Sequence, residues 1–76
     1  MRMFDKINEN DRRYFYRVSE ALKSGYDERL AKEAKDLIYK LRDEGIICKK
    51  ARELLYRYVV VIPTVKKENI LEKVFD

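Results

Sequence analysis

An apolar repeat that stops at a glycine constrains the fold more than any other feature of the sequence. The repeat has intervals of four, three and four residues, at Leu30, Ala34, Leu37 and Leu41. This spacing is typical of one face of an α-helix. Asp27 is placed to cap the start of that helix, and Gly45 to end it. We therefore expect a helix over residues 28–44.

A similar repeat precedes it, with apolar side chains at Tyr14, Val18 and Leu22. Asn8 or Asn10 can cap this helix, because a short side-chain oxygen accepts from the free N–H groups of a first turn. Gly25 lies where a left-handed residue would end it. The first helix is therefore expected to end at residue 23 or 24.

The chain after Gly45 predicts a short basic helix that forms a hairpin with the preceding one. Ile46 and Ile47 are too apolar for an exposed loop and should lie beneath the hairpin. The inward face of the new helix is Ile47, Ala51, Leu54, Leu55 and Tyr58. The outward face is Lys49, Lys50, Arg52, Glu53, Tyr56 and Arg57.

Four consecutive β-branched residues, Val59–Ile62, follow this helix. β-branched side chains favour extended chain, and Pro63 disfavours helical backbone at the residue before it. We expect a buried, non-helical connection here; the rival is a short strand that pairs with another copy of the chain. Thr64 is the expected N-cap of a last helix that carries Val65, Ile70, Leu71, Val74 and Phe75.

Together these segments predict one all-α domain over residues 1–76, a small bundle of three to four short helices around a central hairpin. Two glycines and one proline are too few for a turn-rich β protein. A chain of 76 residues has a thin core, which self-association can supplement. A homodimer is therefore left open.

Cysteine content and hydropathy predict a cytoplasmic protein. The single Cys48 cannot form an internal disulfide, which suits a reducing compartment. The first residues contain no apolar leader. The longest apolar run, Val59–Ile62, is far shorter than the roughly 20 residues that cross a bilayer, so no membrane partner is expected.

The sequence lacks the residue types on which catalysis usually depends. It contains no His, which is the commonest general base and metal ligand, and one Cys alone makes neither a zinc site nor an activated thiol pair. No glycine-rich phosphate loop is present. We expect no enzyme activity, no cofactor and no metal site.

Basic residues are concentrated after the glycine turn. The net charge is +4, and residues 46–63 contribute four basic side chains against one acidic. Such a cluster favours a polyanionic partner. The expected DNA-binding residues are Lys49, Lys50, Arg52 and Arg57, with Arg42 and Tyr56 beside them.

Among the tyrosines, Tyr14, Tyr39 and Tyr58 are expected in the core or at its boundary. Tyr16 and Tyr56 lie among arginines, where their side chains could hydrogen-bond phosphate or stack on a partner.

The hairpin has the outline of a helix-turn-helix but not its details. Leu41 is large where a small residue usually lies, four positions before the turn glycine. Ala51 is small where a larger aliphatic residue is expected. We therefore expect contact with phosphates and little sequence discrimination, rather than insertion into the major groove.

The hairpin resembles the central segment of GapR-type nucleoid-associated proteins. The shared pattern is Lys35-Asp36, Arg42, Gly45, Lys49, Arg52 and Leu54-Leu55. Extended to residues 24–28 and 71–75, it resembles the small late-transcription regulators of T4-like phages that bind double-stranded DNA. Another small T4-type protein, associated with the UvsW recombination helicase, is the alternative within this group.

The resemblance implies a helical, oligomeric, phage-encoded DNA-binding protein that supports replication, recombination or transcription in the host cytoplasm. By position, Lys49 and Arg52 are the matched basic residues, and Arg42 is a further match. The rival function is a protein–protein adaptor that docks on a phage or host replication or recombination enzyme such as a helicase. That rival is motivated by the apolar surplus in Val59–Ile62 and the last helix. Another nucleic acid in place of duplex DNA is also left open.

Overall fold

A computed structural model of the chain describes residue 4 and residues 6–66. Within these residues the chain forms four α-helices, of which the last two are joined by a π-helical segment at Arg57–Val61. The helices are α1 Glu9–Ser24, α2 Glu28–Asp43, α3 Lys49–Tyr56 and α4 Ile62–Lys66. The described residues contain no strand. The expected all-α bundle of short helices is therefore confirmed.

The first two helices begin at the expected caps. Asn8, rather than Asn10, caps α1, and its Oδ1 accepts a hydrogen bond from the Asp11 N–H at 2.8 Å. Asp27 caps α2, and its Oδ1 accepts from the N–H groups of Arg29 and Leu30 at 3.0 and 3.3 Å. Each cap satisfies backbone donors that have no partner within the helix.

The turn after α2 is a Schellman motif centred on Gly45, which has a left-handed φ of 75°. The Gly45 N–H donates to the Arg42 carbonyl at 3.1 Å, and the Ile46 N–H donates to the Leu41 carbonyl at 2.9 Å. These two bonds satisfy carbonyls at the end of the helix. Ile47 is buried directly after the turn, whereas Ile46 is only half-buried. The expected glycine turn is therefore confirmed, and the burial beneath it is confirmed for Ile47.

Gly25 was expected to be left-handed, and this prediction is wrong. Its φ is 179°, which is extended backbone, and its N–H donates to the Ala21 carbonyl at 3.1 Å. Only Gly25 and Tyr26 separate the end of α1 from the cap of α2. Extended backbone carries the chain across this short link, so the link needs no left-handed residue.

The core lies between α1, α2 and the long helical stretch that starts at α3. The apolar side chains buried in α1 and α2 are Phe15, Val18, Leu22, Ala31, Ala34, Ile38 and Leu41. The later part of the chain contributes Ile47, Ala51, Leu55, Val59, Val60 and Ile62. Phe4 and Ile7, which precede the first helical repeat, are also buried. Tyr14, Leu30 and Leu37 are only half-buried and pack against the margin of this core.

The expected non-helical connection at Val59–Ile62 is wrong, and so is the rival strand. The segment Arg57–Val61 is π-helical, and the Ile62 N–H donates to the Arg57 carbonyl five residues back. Backbone angles remain helical from α3 into α4, so residues 49–66 form one continuous helical rod. The expected burial is confirmed for Val59, Val60 and Ile62, whereas Val61 is 41% exposed.

Thr64 was expected to cap the last helix, and it lies inside α4 instead. Its Oγ1 donates a hydrogen bond to the Val60 carbonyl at 2.7 Å. Pro63 has no N–H to donate, so a break in the backbone ladder is unavoidable here. The π-helical segment ends two residues before Pro63, and the Thr64 hydroxyl bond to the carbonyl four residues back is of the kind that threonine makes within helices. The rest of the expected last helix, Ile70–Phe75, lies outside the described residues.

No helix among residues 6–66 has the length and apolar content needed to cross a bilayer.

The two glycines provide a matched pair of substitutions. Gly45→Ala should lower the free energy of unfolding by about 1 kcal/mol or more, because an L side chain is strained at this positive φ. Gly25→Ala should raise it by roughly 0.4–1 kcal/mol, since its extended backbone suits alanine and a Cβ there meets no atom within 4 Å. Urea unfolding of both variants measures the difference. Equal effects would contradict the left-handed turn.

Candidate nucleic-acid interface

Two polar stripes face each other across the hairpin. On α2, Lys35, Tyr39 and Arg42 are spaced by four and three residues. On α3, Lys49, Arg52 and Tyr56 are spaced by three and four. Side chains at these spacings share one face of a helix. The Gly45 turn brings the two helices side by side, so the two stripes form one surface.

Cations and aromatic rings of the two helices interleave at the centre of this surface. The Arg52 guanidinium lies over the Tyr39 ring, 4.8 Å from its centroid. The Lys35 ammonium lies 5.5 Å from the Tyr39 centroid and 6.0 Å from the Tyr56 centroid. We call Lys35, Tyr39, Arg52 and Tyr56 the aromatic–cationic cluster. Each such contact contributes about 0.5–1 kcal/mol at a partly exposed site.

Arg52 is positioned by this cluster rather than free in solvent. Its side chain retains 24% exposure, and its Nη2 also lies 3.7 Å from the Glu53 Oε1. The Glu53 side chain is 62% exposed, so this ion pair is weak. A guanidinium carries five N–H donors, so Arg52 can contact the Tyr39 ring and still donate to a phosphate from its exposed part.

The six expected DNA-binding residues fall on two neighbouring surfaces. Arg52 and Tyr56 are half-buried within the cluster, and Lys49 is exposed one turn before Arg52. Arg42 is exposed on the α2 stripe. Lys50 and Arg57 are also exposed, but they are seven residues apart on the next stripe of α3, with Glu53 between them. The structure therefore groups Arg42, Lys49, Arg52 and Tyr56, and separates Lys50 and Arg57 from them.

Lys35 and Tyr39 complete the surface but were not expected there. Tyr39 was expected in or near the core, and it is 42% exposed. The signal was available in the sequence, because each helix carries a cation four residues before a tyrosine: Lys35–Tyr39 on α2 and Arg52–Tyr56 on α3. That the two pairs face each other depends on how the helices pack.

A cleft adjoins the cluster where α2 begins. Its volume is about 280 Å³, and its lining is Tyr26, Glu28, Ala31, Lys32, Lys35 and Tyr56. Lys35 and Tyr56 therefore belong both to the cluster and to the cleft wall.

Two other depressions lie along α1. The larger, of about 650 Å³, is lined by Asn10, Arg13, Tyr16 and Arg17. Arg13 is engaged there, because its Nε lies 3.3 Å from the Glu9 carboxylate. Tyr16 was expected among arginines, and it is half-buried beside them.

The smaller groove, between α1 and α2, is mainly apolar and contains Tyr14 and Leu30. Burial raises the pKa of the Tyr14 hydroxyl above 10.0, and the nearby Glu33 carboxylate raises it further, whereas Arg17 lowers it. Neither depression combines cations and tyrosines from two helices, as the α2–α3 surface does.

Comparisons of the chain with protein-family models, curated proteins and solved structures found no match.

A double-mutant cycle tests the stacking that positions Arg52. For Tyr39→Leu and Arg52→Met, we expect a coupling of about 0.5–1 kcal/mol in the free energy of unfolding. A control cycle pairs Tyr39→Leu with Arg57→Met, because Arg57 lies on the other stripe of α3. Its coupling should stay below roughly 0.3 kcal/mol. Equal couplings in the two cycles would contradict the assigned stacking.

Proposed function

We propose that the protein is a non-enzymatic binder of duplex DNA with low sequence specificity. The observation that carries the proposal is the α2–α3 surface, where cations from both helices surround two tyrosine rings. The resemblance to small DNA-binding proteins of T4-like phages supports a role beside phage replication, recombination or transcription.

Binding would proceed by neutralisation of phosphates. Duplex DNA carries one negative charge per roughly 1.7 Å of helix axis, and each bound cation releases condensed counterions. Arg52 is ordered by its contact with the Tyr39 ring, and Lys49 lies exposed one turn before it on α3. The Tyr56 hydroxyl is a further donor to phosphate. Lys50 and Arg57, the first residue of the π-helical segment, provide two further cations for phosphate on the neighbouring face, and Arg42 adds a positive charge on α2 near the Gly45 turn.

Low specificity follows from how α3 is held. The stripe that carries Arg52 and Tyr56 packs towards α2, and both side chains are half-buried. A recognition helix instead projects its side chains into the major groove to reach base edges. The arrangement of α3 therefore supports contacts to the DNA backbone more than base readout.

Cys48, the one nucleophilic thiol of the chain, has a structural position. It is the N-cap of α3, and its Sγ accepts a hydrogen bond from the Ala51 N–H at 3.5 Å. The lack of histidine in the sequence, which removes the commonest general base, supports a protein that binds without catalysing a reaction.

A second candidate function is that of an adaptor for a replication or recombination enzyme such as a helicase. It is favoured by two exposed valines one turn apart, Val61 at 41% and Val65 at 74% exposure. Apolar side chains exposed together are typical of protein contacts.

The salt dependence of DNA affinity tests the first function. Four phosphate contacts, by Lys49, Lys50, Arg52 and Arg57, predict a log–log slope of affinity against salt of roughly −3.6. The double substitution Lys49→Glu/Arg52→Glu should weaken binding and reduce the slope to roughly −1.8. Fluorescence anisotropy with a short duplex at several salt concentrations measures both quantities.

The control for this experiment is Arg29→Glu/Lys40→Glu. Both residues are exposed on the side of α2 away from the hairpin surface, and the substitutions lower the net charge by the same amount. The control should retain most of the affinity, and circular dichroism should show that both variants fold. Affinity that is independent of salt, or an equal loss in the two variants, would refute the proposal.

The adaptor function is tested by substitution of the two exposed valines. Truncation of the chain at Pro63 is unsuitable, because this residue is buried and its loss would remove part of the core. Val61→Glu/Val65→Glu should abolish binding to a purified phage recombination helicase in a pull-down and leave duplex affinity within about two-fold, since neither valine belongs to the α2–α3 surface. Unchanged helicase binding by the variant would exclude these valines as the docking contact.

A further inference from the structure

The cleft beside the aromatic–cationic cluster is built from three parts of the chain. Tyr26 comes from the link between α1 and α2, and Tyr56 from α3. The other lining residues come from the first two turns of α2: Glu28, Ala31, Lys32 and Lys35. Its volume is about 280 Å³, and four of its six lining residues, Tyr26, Glu28, Lys32 and Lys35, are exposed. The cleft is therefore open to solvent and accessible to a ligand.

Tyr26 contributes an open aromatic ring to this cleft. It is 60% exposed, more than any other tyrosine of the chain. Tyr14, Tyr16, Tyr56 and Tyr58 all pack against the core, whereas Tyr26 does not. Its ring therefore contributes little to packing and remains available for stacking. A nucleobase stacked on an aromatic side chain is a common element of single-strand binding, and it tolerates any base.

The charges along the cleft are complementary to a nucleotide. Lys32 and Lys35 place ammonium groups in the second turn of α2 and attract phosphate. Glu28, at the start of the helix, repels phosphate, but its carboxylate accepts hydrogen bonds from N–H donors. Every nucleobase has such a donor on its Watson–Crick edge. In a duplex that edge is paired and both faces of the base are stacked, so only an unpaired base fits this arrangement.

We propose that the cleft binds one unpaired nucleobase, so that the protein prefers the junction where a single strand leaves a duplex. Tyr26 stacks on the base, Glu28 accepts from its Watson–Crick edge, and Lys32 and Lys35 hold the adjacent phosphate. The duplex part of the junction lies against the α2–α3 surface, so this part of the inference rests on the proposed function. The cleft thus adds recognition of an unpaired base to a surface that otherwise contacts phosphates.

Three DNAs of the same duplex sequence test the proposal: a blunt duplex, a duplex with a short single-stranded tail, and a duplex with an abasic tail of equal length. The two tailed DNAs carry the same phosphates, so a difference between them reports on the bases alone. Anisotropy titrations should show about five-fold or tighter binding to the base-bearing tail than to the abasic tail, as expected for one stacked base.

Two substitutions at Tyr26 assign that difference to the cleft. Tyr26→Ala should remove the difference between the two tails and leave affinity for the blunt duplex unchanged. Tyr26→Phe retains the ring and should retain the preference. Thermal unfolding followed by circular dichroism confirms that the variants fold, as expected for an exposed position.

The outcomes separate this inference from the proposed function. Equal binding of the two tails, or a preference that persists in Tyr26→Ala, would overturn the base site even if the blunt duplex binds. A tail preference that depends on Tyr26, without measurable blunt-duplex binding, would uphold the base site and overturn the proposed function. Failure to bind all three DNAs would overturn both.

Discussion

The structure depends on the Schellman turn at Gly45. Two backbone hydrogen bonds, from the N–H groups of Gly45 and Ile46, end α2 and reverse the chain within a few residues. Ile47 is then buried beneath the hairpin, which holds α3 beside α2. Because the turn sets where the two helices meet, it also sets the contact of Arg52 with the Tyr39 ring. Core and candidate interface thus share one local motif.

The rod formed by α3, the π-helical segment and α4 shows tertiary packing prevailing over local preference. β-branched residues and a following proline both disfavour helix. Burial of Val59 and Pro63 offsets that preference, and each fully buried aliphatic side chain contributes about 1.5–3 kcal/mol. The rod packs against α1 and closes the bundle. The π-helical segment, which ends directly before Ile62 and Pro63, is the local departure from α-helical hydrogen bonding in this rod.

The aromatic–cationic cluster links stability to the proposed binding. Arg52 contacts the Tyr39 ring, while its side chain, 24% exposed, keeps N–H donors for phosphate. A side chain ordered in this way loses less conformational entropy when it binds, which favours affinity. Lys49 and Lys50 are exposed, so their substitution should affect binding with little effect on folding. Substitutions of Arg52 are expected to lower both DNA affinity and the free energy of unfolding.

The sequence by itself determined the Asp27 cap, the ends of α1 and α2 to within one residue, the turn at Gly45 and the burial of Val59, and it left Asn8 and Asn10 as alternative caps of α1. These features depend on hydrogen bonds and apolar periods among residues near one another in the chain. Only the tertiary structure decided that residues 57–63 are helical, that Gly25 is extended, and that Tyr39 is partly exposed beside Arg52. The helical form of residues 57–63 and the position of Tyr39 depend on how distant segments pack, and the extended Gly25 depends on the short link between α1 and α2. A helical period places residues on a face, but packing decides which faces meet.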